Sequence, residues 1–450
     1  MGVSPMQTPA FRAMPRALRY FLTRGNVRVQ SLPGHVHPAD RSRAWANEIM
    51  LAAGQPLASG RICSGGAIIA IGRPPGPLGC RRRRGDRMTS ETMTSRQRIL
   101  ASIRGDEVDR FPVWLKMDNG TWQGSQPEPY RSMGSRELLT ACGCDLIDWA
   151  CANTKSHNPH TEMREQRRNG SVTQTIDTPD GPLVKEYGVD PVSGWHPTKY
   201  MVETAEDLAA VRWMFKDTSF TVEDGSPEAA RQKQQQCETD GALTCTGLGP
   251  SPLMNLIEDI CGPENANYLA FDEPELFDEV VQLMHAEFLR HLDVFLPIQV
   301  ADTCWLTENT STTLISPGQF AKYCGPHLRD YGQRIVDHDI IAVHHMCGTL
   351  NVLLEEIDAL PAQVNEAYTT SPLGDVSLAD GRRRMPSKAL WGGTNATLWL
   401  EPVETIVRTV ADDLADCPDT RKIFLTSAGV LPPPVSFDKA RDTVEQLKRL

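Results

Sequence analysis

Eight short apolar segments, most of them followed by an amphipathic helical pattern, recur between residues 111 and 426, and this alternation constrains the fold more than any other feature of the chain. The segments span residues 111–117, 144–150, 242–248, 300–306, 340–345, 363–369, 389–392 and 422–426. Helical patterns fall at 135–141, 205–214, 227–237, 273–296, 350–359, 378–384 and 436–450, with Leu276, Val280, Leu283, Met284, Phe288 and Leu292 on one face of the longest. Eight such units without a glycine-rich dinucleotide fingerprint predict an α/β chain, a (β/α)8 TIM barrel rather than an open doubly wound sheet. A hairpin turning at Pro179-Asp180-Gly181 predicts a small β-hairpin insertion over 172–189.

Helical order begins at Thr94-Ser95-Arg96-Gln97, a capping-box pattern ahead of Ile99, Leu100 and Ile103, and Gly105 ends that helix. Composition changes sharply just upstream. Residues 1–87 hold fourteen Arg, no Lys and three acids, a net of +11 in a chain whose total is -11, so the remainder stands at -22. With nine Pro and eleven Gly and no sustained period, residues 1–92 read as a disordered basic extension ahead of a start at Met88 or Met93, and residues 93–450 as the barrel. The acidic remainder argues against nucleic-acid binding. No apolar run has membrane-spanning length, and twelve irregularly spaced cysteines do not form a secreted disulfide framework, so a cytoplasmic protein is expected.

In a (β/α)8 barrel the chemistry sits on the loops after the strands. The fifth segment ends in His344-His345-Met346-Cys347-Gly348, where an imidazole and a thiolate two residues apart suit Zn2+. Glu308 offers a carboxylate after the fourth segment, and Lys116 closes the first. His157 and His160 follow the second, and Cys142 and Cys144 read as packing residues.

The segments SRQRILASIRGDEVDRFPV, SPGQFAKYCGPHL, HHMCG, LWGGTN and FLTSAGVLPPP, in this order and spacing, resemble the uroporphyrinogen decarboxylase superfamily over residues 93–450. The resemblance implies a (β/α)8 barrel and one of two chemistries: cofactor-free decarboxylation, or zinc-dependent methyl transfer with cobalamin carried on a separate corrinoid protein. The decarboxylase's arginine-rich first loop is replaced here by the stretch from Lys116 to Trp122, and Ala152 or Asn153 stands at its catalytic aspartate. The methyltransferase pattern implies zinc on His345 and Cys347, but Ala428 stands where its third ligand, a cysteine, belongs. Glu308 is the expected replacement, with His157 or His160 behind it, and Glu308 and Lys116 are the expected catalytic residues. Methyl transfer is therefore the expected function, with uroporphyrinogen decarboxylation or a non-catalytic tetrapyrrole- or corrinoid-binding barrel as alternatives.

Overall fold

A computed structural model describes residues 91–117, 119–168, 170–190 and 194–450. The expected disordered extension therefore lies almost wholly outside the described residues. The first helix, α1 (Ser95–Arg104), opens on Thr94, whose side chain accepts from the Gln97 backbone while Gln97 reciprocates, and it ends on Gly105 in the left-handed region. Next come β1 (Val113–Lys116), α2 (Ser135–Cys142) and β2 (Ile147–Trp149).

Where the sequence predicts a single hairpin, four strands form a sheet of their own. After β3 (Thr154–His157), the strands β4 (Glu162–Arg168), β5 (Ser171–Thr178), β6 (Gly181–Asp190) and β7 (Gly194–Lys199) pair antiparallel in sequence order. The Lys185 ammonium and the Tyr187 hydroxyl, both on β6, reach Asp259. Then α3 (Ala205–Phe215) leads to β8 (Ser219–Val222), which pairs with β3.

The rest of the chain alternates as expected: α4 (Ser226–Asp240), β9 (Leu243–Leu248), α5 (Pro274–Phe295), β10 (Thr303–Thr307), α6 (Gly325–Asp337), β11 (Ile341–His345), α7 (Leu354–Asp358), β12 (Val364–Tyr368), α8 (Leu378–Arg384), β13 (Ala389–Gly392), α9 (Val403–Ala415), β14 (Ile423–Val430) and α10 (Phe437–Leu447). Eight strands form one parallel sheet in the order β1-β14-β13-β12-β11-β10-β9-β2, the strand order of a (β/α)8 barrel. The end strands meet at Asp145. Its backbone N–H donates to the Val113 carbonyl (2.7 Å), and its buried carboxylate accepts from the Val113 N–H (2.8 Å). The Arg98 guanidinium on α1 and Arg110 Nη1 (2.8 Å) hold the same carboxylate.

Inside the sheet lies an aromatic layer. Trp305 packs edge-on against Trp114 (6.1 Å between ring centres) and Trp391 (5.7 Å) and tilts against Trp149 (6.0 Å). Ile99 and Ile103 of α1 belong to the same cluster, so α1 plugs the end of the barrel where the strands begin. The helices enclose the sheet through a second, larger apolar cluster. No helix among the described residues is long and apolar enough to cross a membrane.

Candidate functional site

Alternation along the strands decides which side chains face the interior. Trp305, Val343 and Val364 share the inner cluster, so Thr307, His345 and Glu366, each two residues onward, face the same way nearer the carboxyl ends. The register agrees: Thr307 pairs with His345, and His345 with Glu366. Lys116, at the end of β1, reaches over β14 and β13 to Glu366, its Nζ 2.9 Å from Oε1. The same ammonium lies 3.4 Å from His345 Nδ1 and 3.3 Å from the Ala428 carbonyl oxygen. The other Glu366 oxygen bonds His345 Nδ1. Trp114 lies under the lysine, 5.9 Å from Nζ to ring centre.

Cys347 is exposed at the mouth and shares a hydrogen bond with His345. Its Sγ also lies 3.3 Å from Asn309 Oδ1 as donor, and Asn309 Nδ2 donates to Glu258 (3.1 Å). These contacts set the charges. Burial opposes ionisation of the thiol, but His345 and the Lys116 charge outweigh it and hold Cys347 below its ordinary range. Burial and Lys116 push His345 down, yet Glu366 and Cys347 raise it overall. Burial disfavours the Glu366 carboxylate, but Lys116 and His345 keep it below the usual range. The cluster therefore favours the ionised forms of Cys347 and Glu366 and the protonated form of His345, with the Lys116 ammonium beside the carboxylate.

The loop carrying Cys347 is tied down at several points. The Ser311 hydroxyl accepts from the Thr349 N–H (3.2 Å), and Asp375 caps the Leu350 N–H (2.7 Å). A Cβ on Gly348 would strike Ser311, so glycine is required there by close approach. Three non-glycine residues at strand ends around the site adopt left-handed backbone: Asn309 (φ 47), Ala367 (φ 58) and Ala428 (φ 59). Such strain persists only where the surroundings enforce it, and it gathers at functional sites.

Of the residues singled out in the sequence, Lys116, His345 and Cys347 come together, and Glu366, which was not among them, joins them. Glu308 does not join them. It is one residue past the inward-facing Thr307, so its carboxylate turns away from the interior and accepts from the Ser251 N–H (2.7 Å) and hydroxyl (2.6 Å). Burial pushes Glu308 up to about 7. Its backbone still supports the site, because the N–H groups of Glu308 and Asn309 donate to the His345 carbonyl at 3.0 and 2.8 Å. His160 pairs with Asp217 (2.8 Å) and tilts against Trp213, and His157 lies exposed on β3; both serve the surface. Cys142 and Cys144 are buried, as expected of packing residues.

Among the described residues no three His, Cys, Asp or Glu side chains are arranged to hold a metal ion. His345 and Cys347 supply two donors, and Ala428 supplies no third side chain. A catalytic zinc site uses three protein ligands, so this donor set does not fit one. A cavity of about 1040 Å3 lies elsewhere, at the beginnings of β1 and β14, lined by residues such as Asp109, Arg110, Lys422 and Lys448. It does not touch the cluster.

The family model described as uroporphyrinogen decarboxylase (URO-D) matches residues 228–450. Among solved structures, a methyltransferase from Methanosarcina mazei superposes with a TM-score of 0.50 at 14% identity, covering 79% of this chain and 99% of that one. A B12-independent methionine synthase from a Shewanella species, in complex with selenomethionine, gives a TM-score of 0.34 at 11% identity over 70% and 83% of the two chains. No curated protein matches the chain. The first of these structural likenesses is one of fold.

Proposed function

We propose that this chain, whose residues 228–450 match the uroporphyrinogen decarboxylase (URO-D) family model, is a member of that family and a methyltransferase whose general acid is His345. One observation carries the reading: a histidine bonded to a buried carboxylate and to a cysteine, its proton affinity raised by both, at the carboxyl ends of a parallel barrel. The similarity of fold to a solved methyltransferase supports the same class.

In this reading the substrate is a small methyl donor whose leaving atom is oxygen or nitrogen. When the bond to the methyl carbon breaks, its electron pair stays on that atom, and His345 delivers the proton that neutralises it. Glu366 and Cys347 keep His345 protonated until that moment, and Lys116 adds positive charge where negative charge develops. A corrinoid on a separate protein would supply the attacking electron pair. The tryptophan layer beneath keeps bulk water from the floor of the site.

Uroporphyrinogen decarboxylation is less well supported, because the Lys116 ammonium is already paired with Glu366, whose carboxylate would repel a polycarboxylate.

The test uses reduced cobalamin in solution as acceptor, with methanol, methylamine and methoxybenzene as donors, followed by the cobalamin absorbance. Wild-type turnover with at least one donor, reduced about 100-fold or more in His345→Ala, is the expected result. Undiminished transfer in His345→Ala removes His345 as the acid.

A further inference from the structure

The positions where the family resemblance implies a zinc ion surround something else in this chain. Lys116 Nζ stands among Glu366 Oε1 at 2.9 Å, the Ala428 carbonyl oxygen at 3.3 Å and His345 Nδ1 at 3.4 Å. These groups come from β12, β14 and β11, and the lysine comes from β1, so four strands converge on one ammonium. We propose that the Lys116 ammonium is the resident cation of this site and takes the place that a metal ion would hold.

Three features support the substitution. A metal ion needs several ligands turned toward it, yet the Nδ1 edge of His345 and one oxygen of Glu366 face Lys116, and the other Glu366 oxygen is spent on His345. The position expected to furnish a third ligand is Ala428, which offers only its carbonyl, and that carbonyl points at the ammonium. A divalent ion entering the cluster would also meet a fixed positive charge held by a fully buried carboxylate. A lysine is suited to this place because its charge is compact and its donors can be shared between the Glu366 carboxylate and the Ala428 carbonyl. The Lys116 side chain is itself mostly buried, so its charge is not dissipated into water. Met117 and Trp122, which follow it in the chain, are fully buried and fix the end of β1 from which the lysine extends.

The inference concerns how the site is charged. It holds whichever group is transferred, so it can fail without the methyltransferase reading failing, and the reverse. The test measures metal rather than activity. The full chain is produced in zinc-supplemented medium as wild type, Lys116→Ala, Lys116→Met, Ala428→Cys, Cys347→Ala and the double variant Lys116→Ala with Ala428→Cys. Bound zinc is measured by elemental analysis and by titration against a chromophoric chelator, with circular dichroism to check folding. Lys116→Met keeps the volume of the side chain and stands in if Lys116→Ala does not fold.

The expected result is zinc far below one per chain in wild type and about one per chain in the double variant, where a third ligand replaces the competing charge. Near-stoichiometric zinc in wild type that is lost in Cys347→Ala overturns the proposal. A folded double variant as free of zinc as wild type also overturns it, because removing the lysine would then have opened no metal position.

Discussion

Lys116 and Glu366 meet across the barrel interior, 2.9 Å apart, although two strands separate β1 from β12 in the sheet. The pair thus bridges the mouth and fixes where the His345 ring stands. A buried carboxylate that bonds one ring nitrogen sets the tautomer and raises the basicity of the ring. Replacing Glu366 by Gln removes the charge and keeps the shape. The expected outcome is a methyl-transfer rate lowered about 100-fold near neutral pH, with the alkaline limb of the pH profile moved to lower pH because His345 loses its proton sooner. An unmoved alkaline limb would mean that His345 is not the acid.

Cys347 should be the most reactive of the described cysteines at neutral pH. His345 and Lys116 hold its thiol below the ordinary value, whereas burial pushes Cys417 up to about 11. Iodoacetamide at pH 7, followed by peptide mapping, should label Cys347 well before Cys417, and His345→Ala should slow that labelling about 10-fold. Equal labelling rates in wild type and His345→Ala would show that the imidazole does not activate the thiol.

At the opposite end of the barrel, Asp145 joins β1 to the residues preceding β2 and accepts from both Arg98 and Arg110. Asp145→Ala leaves two guanidinium groups short of a partner in a buried setting. A loss of about 3–5 kcal/mol in urea unfolding is expected. A change within ~0.5 kcal/mol, the range of ordinary surface substitutions, would show that the network adds nothing to stability.

His285 on α5 and His327 on α6 stack with ring centres 4.1 Å apart, and His327 Nδ1 has no hydrogen-bond partner among the described residues. Burial lowers both, His327 to about 4. The folded chain therefore holds His327 neutral, while the unfolded chain takes up a proton below about 6.5. The stability from this group is complete above pH 6.5 and declines as pH falls toward 4. Glu287 and Glu308, both pushed up to about 7 by burial, bind protons on folding over the same interval and oppose the trend in the whole protein. The informative quantity is the difference between wild type and His327→Phe. It should shift in favour of the variant by up to about 1.4 kcal/mol per pH unit as pH falls from 6.5 to 4. A difference that stays constant with pH would refute the assignment.

Gly348→Ala should act on the site rather than on the fold, because the new methyl group meets Ser311 and displaces the loop that carries Cys347. Methyl transfer and iodoacetamide labelling of Cys347 should both fall at least about 10-fold while the thermal midpoint moves by only a few degrees. Unchanged labelling would mean that the loop absorbs the methyl without moving the thiol.

The eight barrel strands were legible because parallel strands covered on both faces read as nearly continuous apolar runs. The same rule hid β4, whose sequence EMREQRR is almost entirely charged and exposed. It also left residues 252–272 unassigned, where the wide turn Leu256–Ile260, with Cys261 N–H bonding to the Leu256 carbonyl, departs from helical periodicity. Glu258 lies in that stretch. Within the site, His345, Cys347 and Lys116 stood out by residue type at strand ends. Glu366 carries a readable signal: a carboxylate inside the buried strand Val-Asn-Glu-Ala-Tyr, two residues on from an inward-facing valine. Glu308 departs from its expected place because residue type alone does not carry the alternation along β10 that turns it toward Ser251.

The tryptophan layer under the mouth gives the protein an optical readout of its own. Trp114 lies beneath the Lys116 charge and in edge contact with Trp305, which in turn touches Trp391. Indole emission responds to nearby charge, so any molecule that rearranges the lysine, the imidazole or the cysteine above this layer changes the colour and yield of fluorescence from the barrel interior. Occupancy of the site can therefore be followed without label or cofactor, from light the fold already emits.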